Sequence, residues 1–393
     1  MNPAIDTFVN TFTQQFGDQI AAIYLFGSMA TGHHLAQESD INLYLVMNDH
    51  APMEAMRQAF QPIWAQYGNL FGRAPFVATR QAFIRDLRLN ALFAKHLMRD
   101  ARLLYGTSNL ITEKMTVIEP HEAYAHRVSE AMAASAALAP HVLKPEAREE
   151  ALHILHKTAR QIRNQPLPPD ETAVQTFARI QSYLEPILDV LPATQKWKKL
   201  ARQGSTTLII PGLQAIYSET GKAILVFQQL PPQLLFNTDW NKLATRIPQS
   251  ANGLQITTVE QLCLVIMYDR PLDLRFRKFQ HVWGPNFLTA LKPSDQQIIR
   301  HSARVPSRIL INELPNAYLT SPGDDESLHK IIHDFQNKML NVQLEHELLC
   351  RFGIVERFIP PQPVPDRETP PKERIARLFQ HLEWWSEFYA NHL

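Results

Sequence analysis

Apolar residues recur at helical spacing near the start of the chain, at Ile5, Phe8, Val9, Phe12 and Phe16, which predicts a helix over residues 3–20. Two apolar runs follow, at residues 21–26 and 41–46, each short enough and well enough bounded to predict a buried strand. Between them, Gly27 to about Met29 predicts a turn that opens a short helix. Met53, Met56, Phe60 and Ile63 fall on one side of a helix expected over 52–66. Residues 75–79 predict a short strand, and residues 80–100 a helix with Phe83, Leu87, Leu92 and Leu97 among its apolar positions. The run Leu103-Leu104-Tyr105-Gly106 closes this unit.

The pattern then changes. Residues 120–192 are rich in Ala, Leu, His and Arg at helical spacing, broken by the Pro-rich stretch from Gln165 to Glu171, and predict a helical bundle. Residues 205–257 carry strand-like runs on either side of Glu219-Thr220-Gly221, a hairpin signal. Residues 258–350 read as mostly helical. Pro360 to Pro371 reads as a stiff, extended linker. Residues 372–393 predict a last helix with Ile375, Leu378, Phe379, Leu382, Trp385 and Tyr389 along one stripe, suited to docking on the body or on a second subunit as a homodimer. The fold class expected is α+β: a small mixed-sheet domain at 1–108, a helical bundle at 109–200, a mostly α region with a short β segment at 201–359, and the linker with its docking helix at 360–393. No internal repeat is visible in the sequence.

Composition narrows the function. With 393 residues, 45% hydrophobic and 20% charged, the chain is an ordinary globular protein with room for two or three domains. A net charge of +1 gives no global field for nucleic acid or an anionic membrane, so neither partner is expected. Cys263 and Cys350 form no ligand spacing and no disulfide framework, which suits a reducing cytoplasm. No signal peptide is evident at the start, and the longest strongly apolar run, Leu262 to Met267, is far short of the roughly 20 residues a spanning helix needs. A soluble, cytoplasmic protein is expected.

The stretch from residue 21 to 46 carries the chemistry. An apolar strand delivers Gly27-Ser28, a polar loop follows, and Ser39-Asp40-Ile41-Asn42 enters the next strand. This resembles the signature of nucleotidyltransferases of the DNA polymerase beta-like superfamily, in which Gly-Ser is followed about a dozen residues later by Asp-x-Asp or Asp-x-Glu. The resemblance covers about residues 1–107, including the closing Leu103–Gly106 run, and the bundle that follows matches kanamycin nucleotidyltransferase-type proteins only by analogy of fold. It implies a triphosphate bound at Gly27 and Ser28, with magnesium held by Asp40 and by position 42. In such a site two acids and a third on a neighbouring strand hold two ions, one on the triphosphate and one lowering the pKa of the attacking hydroxyl. Residues two apart on a strand share a face, so Asp40 and Asn42 would meet the same site. Here the second acid is Asn42, and residues 75–79 hold no third one. Glu38, Asp49 and Asp86 are near in sequence but none has the required position on this reading.

Two functions therefore stay open. One is transfer of a nucleoside monophosphate from an NTP to a hydroxyl on an unnamed small-molecule or protein acceptor, with Asp40 and Asn42 as catalytic positions and Mg as cofactor. The other is a catalytically impaired nucleotide-binding or scaffold protein that has lost the second and third acids. His33 and His34 lie in the loop before Asp40 and read as solvated. Arg148 and His153 match the Arg-x4-His spacing of HEPN ribonucleases, but residues five apart do not share a helix face, so a solvated face is the simpler reading. His153 and His156 have no third ligand beside them. The cation–aromatic run from Arg270 to Trp283, with Lys196, Lys198, Lys199 and Arg202 elsewhere, reads as a domain surface before it reads as a nucleic-acid patch.

Overall fold

The computed structural model describes residues 2–31, 40–106, 110–111, 212–219, 221–229, 253–259, 276–290, 295–362 and 368–393, with a few single positions between 175 and 293. Apart from residues 110–111, 175 and 178, the bundle expected over 109–200 lies outside the described residues, as do His33, His34, Arg148, His153, His156, Cys263 and the lysines near 200. The chain divides into two units, Met1–Val117 with Ile298–Leu393, and Ile118–Gln297.

In the first unit, α1 (Pro3–Phe16) starts on Asn2, whose side chain accepts the Ala4 N–H, with proline at the first helical position. Strand β1 (Ile20–Phe26) leads through Gly27 into α2 (Ser28–Thr31), and β2 (Asn42–Met47) follows. Helix α3 (Met53–Phe71) crosses over to β3 (Phe76–Thr79). The single helix expected over 80–100 is two, α4 (Arg80–Leu89) and α5 (Ala91–Asp100), separated at Asn90, whose non-helical backbone at φ −120° and ψ 68° breaks the spiral. Strand β4 (Arg102–Gly106) completes a mixed sheet of order β3-β2-β1-β4, with β2 and β3 parallel and the other pairs antiparallel.

Alternation sends the two faces of this sheet to different cores. Ile23, Leu25, Leu43 and Leu45 pack with Phe8, Phe12, Phe60 and Phe71 of α1 and α3. Tyr24, Tyr44, Val46 and Ala78 face α4 and α5, and here the C-terminal residues complete the core. These are α6 (Asp295–Arg308), a π-helical turn at Ile309–Glu313, α7 (Leu314–Leu319), α8 (Asp325–Arg351) and α9 (Pro371–Ala390). Leu314, Leu328, Leu378 and Trp385 share one cluster with Tyr24, Tyr44 and Phe83. The last helix thus docks on the body of its own unit, one of the two placements its apolar stripe allowed, and Arg85 of α4 pairs with Glu383 of α9 at 2.6 Å.

Polar contacts fix the same seam. Arg57 donates to the carbonyl of Pro322 at 2.7 Å, and Gln61 to those of Leu319 and Ser321 at 2.8 and 2.7 Å. Glu54 accepts from Arg57, Tyr318 and Lys372, and the Arg57 hydrogen bonds above all hold its carboxyl well below the usual range. Gly323 takes φ +81°, and a Cβ there would lie 2.2 Å from the Arg57 guanidinium. Within the C-terminal helices, His346 is buried with its Nε2 accepting the Phe358 N–H at 2.9 Å, and burial lowers its pKa.

In the second unit, β5 (Leu213–Glu219) and β6 (Lys222–Phe227) form the hairpin expected around Glu219-Thr220-Gly221. Strand β7 (Gly253–Thr258) pairs parallel to β6, and β8 (Gln280–Trp283) pairs antiparallel to β5. Strand β8 lies in a segment read from sequence as helical. Gln-His-Val-Trp offers no alternation, and its pairing with β5 decides its conformation.

Candidate functional site

The site is assembled where β1, β2 and the end of α3 meet. Gly27 takes φ +77°, and a Cβ there would stand 3.3 Å from Asn42 Nδ2, so both conformation and space ask for glycine. The Gly27 carbonyl accepts the Ala30 N–H at 3.1 Å, which opens α2 with Ser28 as its first residue. Asp40 stands exposed just before β2, with its carboxylate over Gly72. A Cβ on Gly72 would lie 2.6 Å from Asp40 Cγ, and Gly72 adopts φ +63° as the left-handed cap of α3. The Ile41 N–H donates to the Leu70 carbonyl at 2.8 Å, tying the entry of β2 to the last turn of α3.

Asn42 does not offer a free oxygen. Its Oδ1 accepts from Arg73 Nε at 3.2 Å and Nη2 at 2.8 Å, while its Nδ2 donates to the Asp40 carbonyl at 3.2 Å. The Arg73 guanidinium lies 4.7 Å from the centroid of Phe76. Phe26 and Phe93 pack at a tilt against Phe76, with centroids 5.3 and 5.9 Å away, and make an aromatic floor. Burial lowers the Arg73 pKa and the Asp40 charge raises it; a guanidinium stays charged under that balance. The backbone beside Arg73 is held from the far end of the chain, because Asn316 Oδ1 accepts the Ala74 N–H at 2.7 Å.

The structure therefore brings Gly27, Asp40 and Asn42 together, with Ser28 adjoining, and adds Gly72 and Arg73, which the sequence reading missed. Arg73 lies 31 residues from Asn42, and only the length and capping of α3 bring the two together. Strand β3 holds no Asp or Glu. Asp49 is exposed beyond the opposite end of β2 from Asp40. Asp86 is buried on α4, where Tyr44 Oη and Ser307 Oγ each donate to it at 3.4 Å, so its oxygens serve the core. Burial first of all pushes Asp86 up to about 6, against the hydrogen bonds of Ser307 and Tyr44 and the charges of Arg304 and Arg85. Glu38 lies outside the described residues.

Residues 5–93 match the family model of the Nucleotidyltransferase domain. The first part of this chain is thus a nucleotidyltransferase domain of the polymerase beta-like kind. Among solved structures, the chain is similar to spectinomycin adenyltransferase AAD(9) from Enterococcus faecialis with ATP and spectinomycin, at 13% identity over 47% of this chain and 90% of that one, with a TM-score of 0.30. No curated protein matches the chain.

Nucleotidyltransferases of this kind use divalent cations, and the donors present decide how many would fit. Asp40 supplies one carboxylate, the Asn42 oxygen is occupied by Arg73, and β3 supplies none. Among the described residues no group of three or more His, Cys, Asp or Glu is gathered to hold a metal. Magnesium takes one or two carboxylates together with substrate phosphates. Among the described residues, the donor set fits one cation shared with a triphosphate and does not fit two. No described helix is long and apolar enough to cross a membrane.

Proposed function

We propose that this chain binds a nucleoside triphosphate between the Gly27-Ser28 turn and Asp40, and transfers its nucleoside monophosphate to a hydroxyl acceptor. The family match over residues 5–93 supports nucleotidyl transfer in general. The bond between Arg73 and Asn42 carries the particular reading. Gly27 and Ser28 would present backbone N–H groups and a hydroxyl to phosphate oxygens. Asp40 would hold one magnesium ion with the triphosphate, and that ion would supply charge neutralisation on the phosphates. Arg73, held on Asn42, would turn its positive charge toward the same phosphates, and a fixed guanidinium would take over part of the work that a second cation does elsewhere in the superfamily.

The same bond favours a second reading, a nucleotide-binding protein with impaired transfer, because no described carboxylate beside Asp40 is free to take the acceptor's proton. Titration calorimetry with ATP, GTP, CTP and UTP, with and without magnesium, on wild type and Asp40→Ala tests both. Magnesium-dependent binding that disappears in Asp40→Ala supports the site, and α-labelled nucleotide offered to a panel of hydroxyl acceptors then separates transfer from binding alone. Absence of binding for all four nucleotides would overturn the proposal and leave the domain as a scaffold.

A further inference from the structure

The strand pairings of the second unit repeat those of the first, position by position. The first sheet runs β3-β2-β1-β4 and the second β7-β6-β5-β8, with the same parallel and antiparallel pairs in the same chain order. The irregularities coincide too. Strand β1 slips against β2 between Ile20 and Ala22, and β5 against β6 between Leu213 and Ala215. Strand β1 slips against β4 between Ile23 and Tyr24, and β5 against β8 between Ile216 and Tyr217. Bulges are local features of a fold, and two at matching places are not required by having four strands.

Matching the registers aligns side chains that the sequence alone does not bring into line. Ala22-Ile23-Tyr24 falls on Ala215-Ile216-Tyr217, Leu45-Val46 on Leu225-Val226, Thr79 on Thr258, and Gly106 on Gly284. Gly106 ends β4 and Gly284 directly follows β8, at φ +90° and +82°, where a Cβ would strike the carbonyl oxygen of Ala21 at 2.1 Å and that of Gln214 at 2.0 Å. After the third strand, the buried Phe83, Leu87 and Leu97 correspond to the buried Leu262, Ile266 and Phe276.

One part is missing from the repeat. Residues 27–41, with the Gly-Ser turn and Asp40, connect β1 to β2, whereas Thr220 and Gly221 alone connect β5 to β6. Phe26 and Asn42, paired across the first hairpin, are replaced by Glu219 and Lys222, paired across the second. The position that bears the second acid in the superfamily bears a lysine here. We infer that residues 213–287 are a second copy of the nucleotidyltransferase fold from which the phosphate loop and its acid have been removed, so that the described residues hold two such folds and one nucleotide site. The part of this inference that concerns the nucleotide rests on the function proposed above; the duplication does not.

Cysteine cross-linking tests the duplication without nucleotide. With Cys263 and Cys350 replaced by alanine and the wild-type circular dichroism retained, the pairs Ser218→Cys/Gln280→Cys and Lys222→Cys/Gly253→Cys are expected to close on mild oxidation. Lys222→Cys/Gln280→Cys is expected to stay open, because β5 lies between those strands and puts them beyond the ~7 Å reach of a disulfide. Failure of both register pairs, or closure of the third, would overturn the inference. Hydrogen exchange on the unmodified chain gives a second reading: β5 and β6 are expected to be protected along their length as β1 and β2 are, and fast exchange over 214–218 would overturn it. Photolabelling with 8-azido-ATP and peptide mapping then address the site. Label confined to residues 20–106 supports a single site, and label within 213–287 overturns it. Label in neither segment would sink the nucleotide reading while agreeing with a second copy that binds none.

Discussion

The contact between Arg73 and Asn42 is the residue-scale feature on which the chemistry turns. Asn42→Asp alone is expected to give a carboxylate paired with Arg73, and so little gain in magnesium affinity. Asn42→Asp with Arg73→Ala frees that carboxylate, and calorimetry is expected to find magnesium-dependent nucleotide affinity raised about tenfold over Asn42→Asp, roughly 1.4 kcal/mol. Asp86 yields a prediction of another kind. Its folded pKa of about 6 lies above the ordinary carboxylate value of 3.8, so the folded state holds its proton over that interval when the unfolded chain has lost it. Its favourable contribution is complete below pH ~4 and is lost as pH rises through ~6, a change of about 3 kcal/mol. Urea denaturation between pH 4 and 6.5 is expected to be flatter in Asp86→Asn than in wild type, with stability at pH 7 no lower. An unchanged slope would show that the carboxylate is solvated in solution.

At the scale of elements, the apolar runs and their punctuation foretell most of the first sheet. The pattern places β1, β2 and β3 within a residue or two, because each is a short apolar stretch bounded by glycine, proline or polar residues, while the run read only as the close of the unit proves to be β4. It misses what is decided at a distance. Asn90 splits one expected helix because its backbone leaves the helical region, and Gln280–Trp283 becomes a strand because β5 offers an open edge. Arg73 carries no sign of its partner because α3 intervenes. The repeat escapes reading because its identities are scattered two or three at a time along strands whose connections differ. The seam between α3 and the segment after α7 is equally silent in sequence, yet it is closely fitted. Gly323→Ala is expected to cost roughly 1–3 kcal/mol, since the new Cβ must displace the Arg57 guanidinium from a left-handed backbone position. Asn316→Ala removes the acceptor for the Ala74 N–H beside Arg73, and is expected to weaken nucleotide binding with a smaller loss of stability. Thermal melting and nucleotide titration on the two variants check that contrast.

For the whole molecule, the first unit is discontinuous, with residues 118–297 intervening between its two parts. The core that begins with Tyr24, Tyr44 and Phe83 is closed by Leu314, Leu328 and Trp385. A fragment of residues 1–117 is therefore expected to leave a large apolar face uncovered and to aggregate. Adding residues 298–393 as a separate chain is expected to restore a soluble complex, read by size-exclusion chromatography. Solubility of the short fragment alone would contradict the shared core. The same discontinuity sets an order of events during synthesis. A ribosome adding ~5–20 residues per second completes the second unit before the C-terminal helices exist, and the first 117 residues wait roughly 15–60 s for their missing half. Residues 1–117 thus fold after the second unit that follows them in the chain, and are expected to need chaperone cover until residues 298–393 have been made.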